Sequence, residues 1–170
     1  MKSKLTLKQI EDFYRRKYLI DQTILNNLNQ AVIYGAKGIN AQMPAHLRRA
    51  TQDYDVYSQK ARQKAFEIEN KLDAVYGGDY FYVEKGTNKG TWRLKSHANK
   101  ESYLDVTQQE KKKLPFKTIN GKRYLTLQAI KEHTLNTLKN KSATHRQNKD
   151  QDILNRINIA NKKRGGVSLW

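Results

Sequence analysis

The chain has 170 residues, with 33 lysines and arginines against 16 acidic residues, for a formal net charge of +17 at pH 7. Hydrophobic residues make up 37% and ten residues are tyrosine, so one modest, tyrosine-rich core is expected. The absence of cysteine excludes disulfides and thiolate metal sites, and no apolar run approaches the ~20 residues of a membrane span.

In chain order, the N-terminal "MKSKLTLKQIEDFYRRKYLI" lacks the apolar stretch of a signal peptide, so a soluble, cytoplasmic protein is expected. Residues 6–29 read as helical. Thr6 and Gln9 have capping-box spacing, and Ile10, Phe13, Tyr14, Ile24, Leu25 and Leu28 recur at helical intervals, with a break expected near residues 19–22. "AVIY" is a short strand ending at Gly35, and "AKGINAQMPAHL" a helix weakened by Gly38 and Pro44. "DYDVYS" is a second strand, followed by a helix over residues 59–75 that "YGG" stops. "DYFYVEKG", "GTWRLKS" and "SYLDVT" are three further strands, the first two joined as a hairpin through "GTNKG". "FKTINGKRYLTL" is a second hairpin, because Asn120-Gly121 suits a type I′ turn. Helices are expected over residues 126–139 and 143–162.

The expected fold is α/β (α+β), with a small mixed sheet and flanking and C-terminal helices. Residues 1–30 form a helical segment, 31–125 the core, 126–162 the C-terminal helices and 163–170 a flexible basic tail, all in one compact domain.

The stretch "QDYDVY" is unusual, because aspartate is depleted in strands. Alternate strand residues share a face, so Asp53, Asp55 and Tyr57 point one way, and Tyr103, Asp105 and Thr107 share a face of "SYLDVT". If the two strands are neighbours, three aspartates converge. Their repulsion calls for a cation among them or a shared proton. Mg²⁺ or Mn²⁺ fits such a carboxylate set and leaves positions for phosphate oxygens. The turn after "AVIY" adds backbone N–H groups from Gly35 and Ala36 that suit a phosphate, with Lys37 close behind. "YGAKG" is not a Walker motif, since no Gly-Lys-Ser/Thr closes it.

This order of motifs resembles the DNA polymerase β-like nucleotidyltransferases: a strand ending in glycine, a helix, Asp-x-Asp on the next strand, and a third acid on a later one. "LRRATQDYDVY", with Arg49, Thr51, Asp53 and Asp55, is similar in spacing to the AbiEii type of abortive-infection toxins, whose later Lys-Asp pair is matched by Lys149-Asp150 in "RQNKDQDILNRI". The likeness spans residues 31–107 and, more loosely, 143–157. Ala36 departs from the family's second Gly or Ser, so no hydroxyl is available there.

The resemblance implies transfer of a nucleoside monophosphate from a nucleoside triphosphate, with Mg²⁺ or Mn²⁺ held by Asp53, Asp55 and Asp105, which are both the catalytic and the metal-binding set. It makes Gly35, Ala36, Lys37, Arg49, Thr51 and Lys149 the nucleotide- and phosphate-binding set. Nucleic acid is the acceptor that the charge favours; the resemblance to toxin-type relatives puts RNA, such as a tRNA 3′ end, first, with DNA the alternative. Lys85, Lys89, Arg93, Lys95, Lys162, Lys163 and Arg164 are the expected nucleic-acid contacts. A terminal transferase or minimal DNA polymerase, and a basic binding protein without catalysis, are the competing readings. Glu84 and Asp79 are rival third acids. His46, His97, His133 and His145 lack metal-ligand spacing, and Trp92 is a candidate for stacking on a base. No membrane is involved, and a regulatory protein partner is left undefined.

Overall fold

The first helix begins where the sequence places a cap. Thr6 Oγ1 accepts the Gln9 N–H at 3.1 Å and Gln9 Oε1 accepts the Thr6 N–H at 2.8 Å, which opens α1 (Leu7–Arg15). The computed structural model describes residues 4–139 and 147–167, with side chains as far as Lys162. The chain breaks at Arg16 and Lys17 before α2 (Tyr18–Asn26), slightly earlier than its periodicity suggests. Arg16 explains the position: its guanidinium pairs with Asp12 and donates to the Tyr76 carbonyl at 3.0 Å, so the turn is pinned to a distant helix end.

Seven strands follow in one mixed sheet: β1 (Val32–Tyr34), β2 (Tyr54–Ser58), β3 (Phe81–Lys85), β4 (Thr91–Ser96), β5 (Ser102–Gln108), β6 (Phe116–Ile119) and β7 (Lys122–Leu125). Their order is β3-β4-β5-β2-β1-β7-β6. The pairs β2–β5 and β1–β7 are parallel and the others antiparallel. Parallel neighbours need a crossover. For β2–β5 the connection contains α4 (Ala61–Tyr76) and the β3–β4 hairpin. The β6–β7 turn has positive φ at both Asn120 (50°) and Gly121 (78°), as a type I′ turn requires.

Helix α3 (Gly35–Asn40) is shorter than expected. Pro44 disfavours helical backbone before it, and a 3₁₀ turn (Ala45–Leu47) follows. The C-terminal helices are α5 (Leu127–Lys139) and α6 (Gln147–Val167). Thus α6 extends into the segment read as a tail from sequence, while residues 168–170 and His145 lie outside the described residues.

The sheet is buried on both faces. On one face Phe13, Ile20, Ile24, Ile68 and Leu72 pack on Ile33, Val56, Leu94, Leu104 and Val106. On the other, Ile39, Met43, Ile130 and Ile157 pack on Val32 and Leu125. This is the α+β architecture expected, a mixed sheet with flanking and C-terminal helices. Among the described residues no helix is long and apolar enough to cross a membrane.

An acidic clasp joins α4 to β3. Asp73 Oδ1 accepts the Tyr80 and Phe81 N–H groups at 3.0 and 2.9 Å, with Glu69 and Asp79 nearby and His97 Nε2 3.7 Å from Asp79. Burial, with repulsion from Asp73 and Asp79, pushes the Glu69 carboxyl up to about 7, and burial above all pushes Asp73 up to about 6. The folded chain therefore takes up these protons at higher pH than the unfolded chain, whose carboxyls titrate near their ordinary values. The resulting stability is complete below those ordinary values and is lost as pH rises through about 6 to about 7. Thermal melts of wild type and Glu69→Gln from pH 5 to 8 should show the variant's melting temperature exceeding wild type near pH 8, with the gap closing toward pH 5. A constant gap would contradict this account of the clasp.

Candidate functional site

Asp55 and Asp105 are direct neighbours across the parallel β2–β5 pair. Strand β2 alternates buried and half-buried residues, so Tyr54 and Val56 enter the core while Asp55 and Tyr57 face the opposite side. Asp53 sits immediately before the strand rather than within it. Each of Asp53, Asp55 and Asp105 offers a carboxylate oxygen within 4.8 Å of the others, and all three are half-buried. Pairs of such charges repel by about 3–4 kcal/mol at an effective dielectric of 20.

Two features hold the cluster. Arg93, cross-strand partner of Asp105 on β4, donates Nε to Oδ1 at 2.9 Å and Nη2 to Oδ2 at 3.4 Å. That pairing, above all, holds the guanidinium above its usual range, with a smaller contribution from Asp53. Gly35 lies on the other side, with φ +66°, and a Cβ there would come 2.3 Å from Asp55 Oδ2. Only glycine combines that backbone with that approach. Beside Asp105, the Thr107 hydroxyl lies 2.9 Å from Thr91 Oγ1 and 3.1 Å from the Tyr34 hydroxyl. Burial pushes the Tyr34 phenol up, and its ring stacks on Tyr57 with centroids 4.0 Å apart.

The carboxylates open into a cavity of about 910 Å³, within the usual size of a small-molecule site. Gly35, Ala36, Thr51 and Lys149 line it, and so does the buried Asp150. Two members of the expected phosphate set lie elsewhere. Lys37 Nζ sits 3.0 Å from Asp21 and 4.7 Å from the centre of the Tyr54 ring, on the opposite side of the sheet. Arg49 pairs with Asp152 at 3.3 Å, outside the cavity lining. Sequence spacing cannot distinguish these alternatives, because each is decided by an acid distant in sequence. Arg156 lines the cavity and is missing from the sequence reading. Its i,i+4 spacing to Asp152, realised at 2.9 Å, is the signal that could have found it.

The expected nucleic-acid contacts are dispersed. Arg93 is committed to Asp105, and Lys95 pairs with Glu84 at 3.3 Å. Lys85 lies 5.9 Å from the centre of Trp92, whose ring packs against Phe66 beside the first core rather than in the cavity. Lys89 borders a second groove, and Lys162 is exposed on α6. The side chains of Lys163 and Arg164 lie outside the described residues. The rival acids Asp79 and Glu84 are apart from the aspartate cluster: Asp79 belongs to the clasp and Glu84 pairs with Lys95.

Compared with family models and with curated proteins, the sequence finds no match. Solved structures do match. The crystal structure of the Megavirus polyadenylate synthase superposes with a TM-score of 0.75 at 16% identity, covering 86% of this chain and 32% of that one. The chain thus spans about a third of that protein. A Helicobacter pylori structure matches at a TM-score of 0.45 and 16% identity, over 78% of this chain and 58% of its own, too distant to carry an argument. The likeness to the polyadenylate synthase establishes the fold.

Gly35→Ala tests the geometry. A methyl group there displaces the Asp55 carboxylate, so titration with Mn²⁺, followed by the ion's paramagnetic resonance signal, should show affinity falling at least about tenfold. Unchanged affinity would mean that Gly35 does not set the carboxylate's position.

Proposed function

We propose that the protein is a nucleotidyltransferase that moves a nucleoside monophosphate from a nucleoside triphosphate onto a hydroxyl of an acceptor. The observation that carries this reading is the convergence of Asp53, Asp55 and Asp105 within 4.8 Å beside Gly35, lining a cavity of about 910 Å³. The donor set is all carboxylate oxygen, which fits Mg²⁺ or Mn²⁺. Bound there, such ions supply positive charge to the phosphate oxygens and lower the pKa of a coordinated hydroxyl.

The chain's own groups have distinct tasks in this scheme. Asp53 and Asp55 would hold the ions. The backbone at Gly35 and Ala36 would border the phosphates, Thr51 offers a hydroxyl, and Lys149, also in the lining, supplies positive charge. Asp105 is the proton acceptor, held in one orientation by Arg93. The acceptor oxygen forms a bond to the α-phosphorus as the bond between that phosphorus and the bridging oxygen breaks, the proton passes to Asp105, and pyrophosphate departs. Positive charge around the transferring phosphate is the main source of acceleration in such chemistry.

The similarity in fold to a polyadenylate synthase supports an acceptor of RNA, and the charge of +17 supports a polyanionic one. The test is a panel of labelled triphosphates with Mg²⁺ or Mn²⁺ and with RNA, single-stranded DNA or no acceptor. Incorporation should require the metal and fall at least about a thousandfold in Asp53→Asn with Asp55→Asn, while melting temperature holds or rises as repulsion is relieved. Label transfer that survives in this double variant would refute the assignment.

A further inference from the structure

The strongest unassigned feature is a stretch of 21 residues, 111–131, that contains Lys111, Lys112, Lys113, Lys117, Lys122, Arg123 and Lys131 and no acid. Among the described residues none of these seven cations lies within 4.0 Å of a carboxylate, whereas Lys37, Arg49, Arg93 and Lys95 all do. Protection of the sheet edge accounts for Lys117 on β6, but not for three consecutive lysines in the preceding loop.

The register places Arg123 on the aspartates' face of the sheet, whereas Lys117 and Lys122 share the opposite face with Tyr124. Phe116 pairs with Leu125 and Thr118 with Arg123 across the β6–β7 hairpin, so Phe116, Arg123 and Leu125 share a face of the sheet. Leu125 borders both the aspartate cavity and a second groove of about 500 Å³. Tyr57, Thr107 and His133 also line both, so the two spaces adjoin. Lys111, Leu114 and Pro115 wall the second groove on the side of the lysine run. Phe116 is 43% exposed, with the Arg123 guanidinium 4.7 Å from its ring centre.

We propose that this wall binds single-stranded nucleic acid and leads its end through the second groove to Asp105. Lys111, Lys112, Lys113 and Arg123 track the phosphates, and Phe116 offers a ring on which a base stacks, the combination that single strands require. A groove of this size admits a nucleotide but not a duplex. The inference rests on the nucleotidyltransferase reading for its direction, while the binding itself is measurable without catalysis.

The experiment is fluorescence anisotropy of the full chain with 15-nucleotide single strands of RNA and of DNA, a 15-base-pair duplex, and heparin, without metal or triphosphate, across a salt series. The combined variant Lys112→Ala, Lys113→Ala, Arg123→Ala should weaken single-strand binding at least about tenfold and reduce the magnitude of the log–log salt slope by about 2, because each lost phosphate contact removes about 0.7. Phe116→Ala should weaken it at least about fivefold and Phe116→Tyr should restore it. RNA and DNA arms that respond alike identify the shared backbone as the ligand, and an RNA-only response narrows the ligand to RNA; both support the proposal. Single-strand binding within twofold of wild type in the triple variant, or equal losses for duplex and heparin, would overturn it. Asp53→Asn with Asp55→Asn should bind the strands at least as tightly as wild type, so failed catalysis and failed strand binding remain separate results.

Discussion

Three carboxylates held within 4.8 Å of one another are the constraint around which the structure is arranged. Left alone they would push the strands that carry them apart. They are retained because β2 and β5 are locked in parallel register through five residue pairs, with Val56, Leu104 and Val106 fully buried beneath. The hydrophobic face of those strands offsets the electrostatic cost on the other. Arg93 answers part of the charge from the next strand, and Gly35 leaves room for the Asp55 carboxylate. Such a site is poised for added positive charge, whether a divalent ion or the arginine already present.

The distribution of cations follows from the same economy. In a chain of +17, several basic side chains near the site are matched to acids: Lys37 to Asp21, Arg49 to Asp152, and Lys95 to Glu84. These pairs fasten elements together, as Arg16 does between Asp12 and the end of α4. Among the cations without an acidic partner are Lys111, Lys112, Lys113 and Arg123, on the loop and hairpin beside the second groove.

The period-two alternation of "QDYDVY" and "SYLDVT" made the shared face of the aspartates legible, and Asn120-Gly121 announced its turn. Strand adjacency could only be posed as a condition, because no local pattern states that β2 and β5 pair in parallel across 43 intervening residues. The same limit governs the cations. Lys37 follows the glycine as a phosphate ligand would, yet its side chain crosses to Asp21 and Tyr54. Arg93 reads as one more surface cation until the register sets it opposite Asp105. Pro44 shortened α3 more than periodicity implied, and Arg16 moved the first helix break by reaching residues about 60 positions away. Contacts between segments remote in sequence therefore decided what local pattern left open.

The claim on which the rest depends is that the aspartate cluster binds divalent metal. Its most direct test is anomalous diffraction from crystals soaked in Mn²⁺ together with a non-hydrolysable nucleoside triphosphate. The account predicts an anomalous peak bonded to oxygens of Asp53 and Asp55, with triphosphate density in the adjoining cavity. Strong manganese density elsewhere, with the three carboxylates bare and Arg93 still on Asp105, would contradict it.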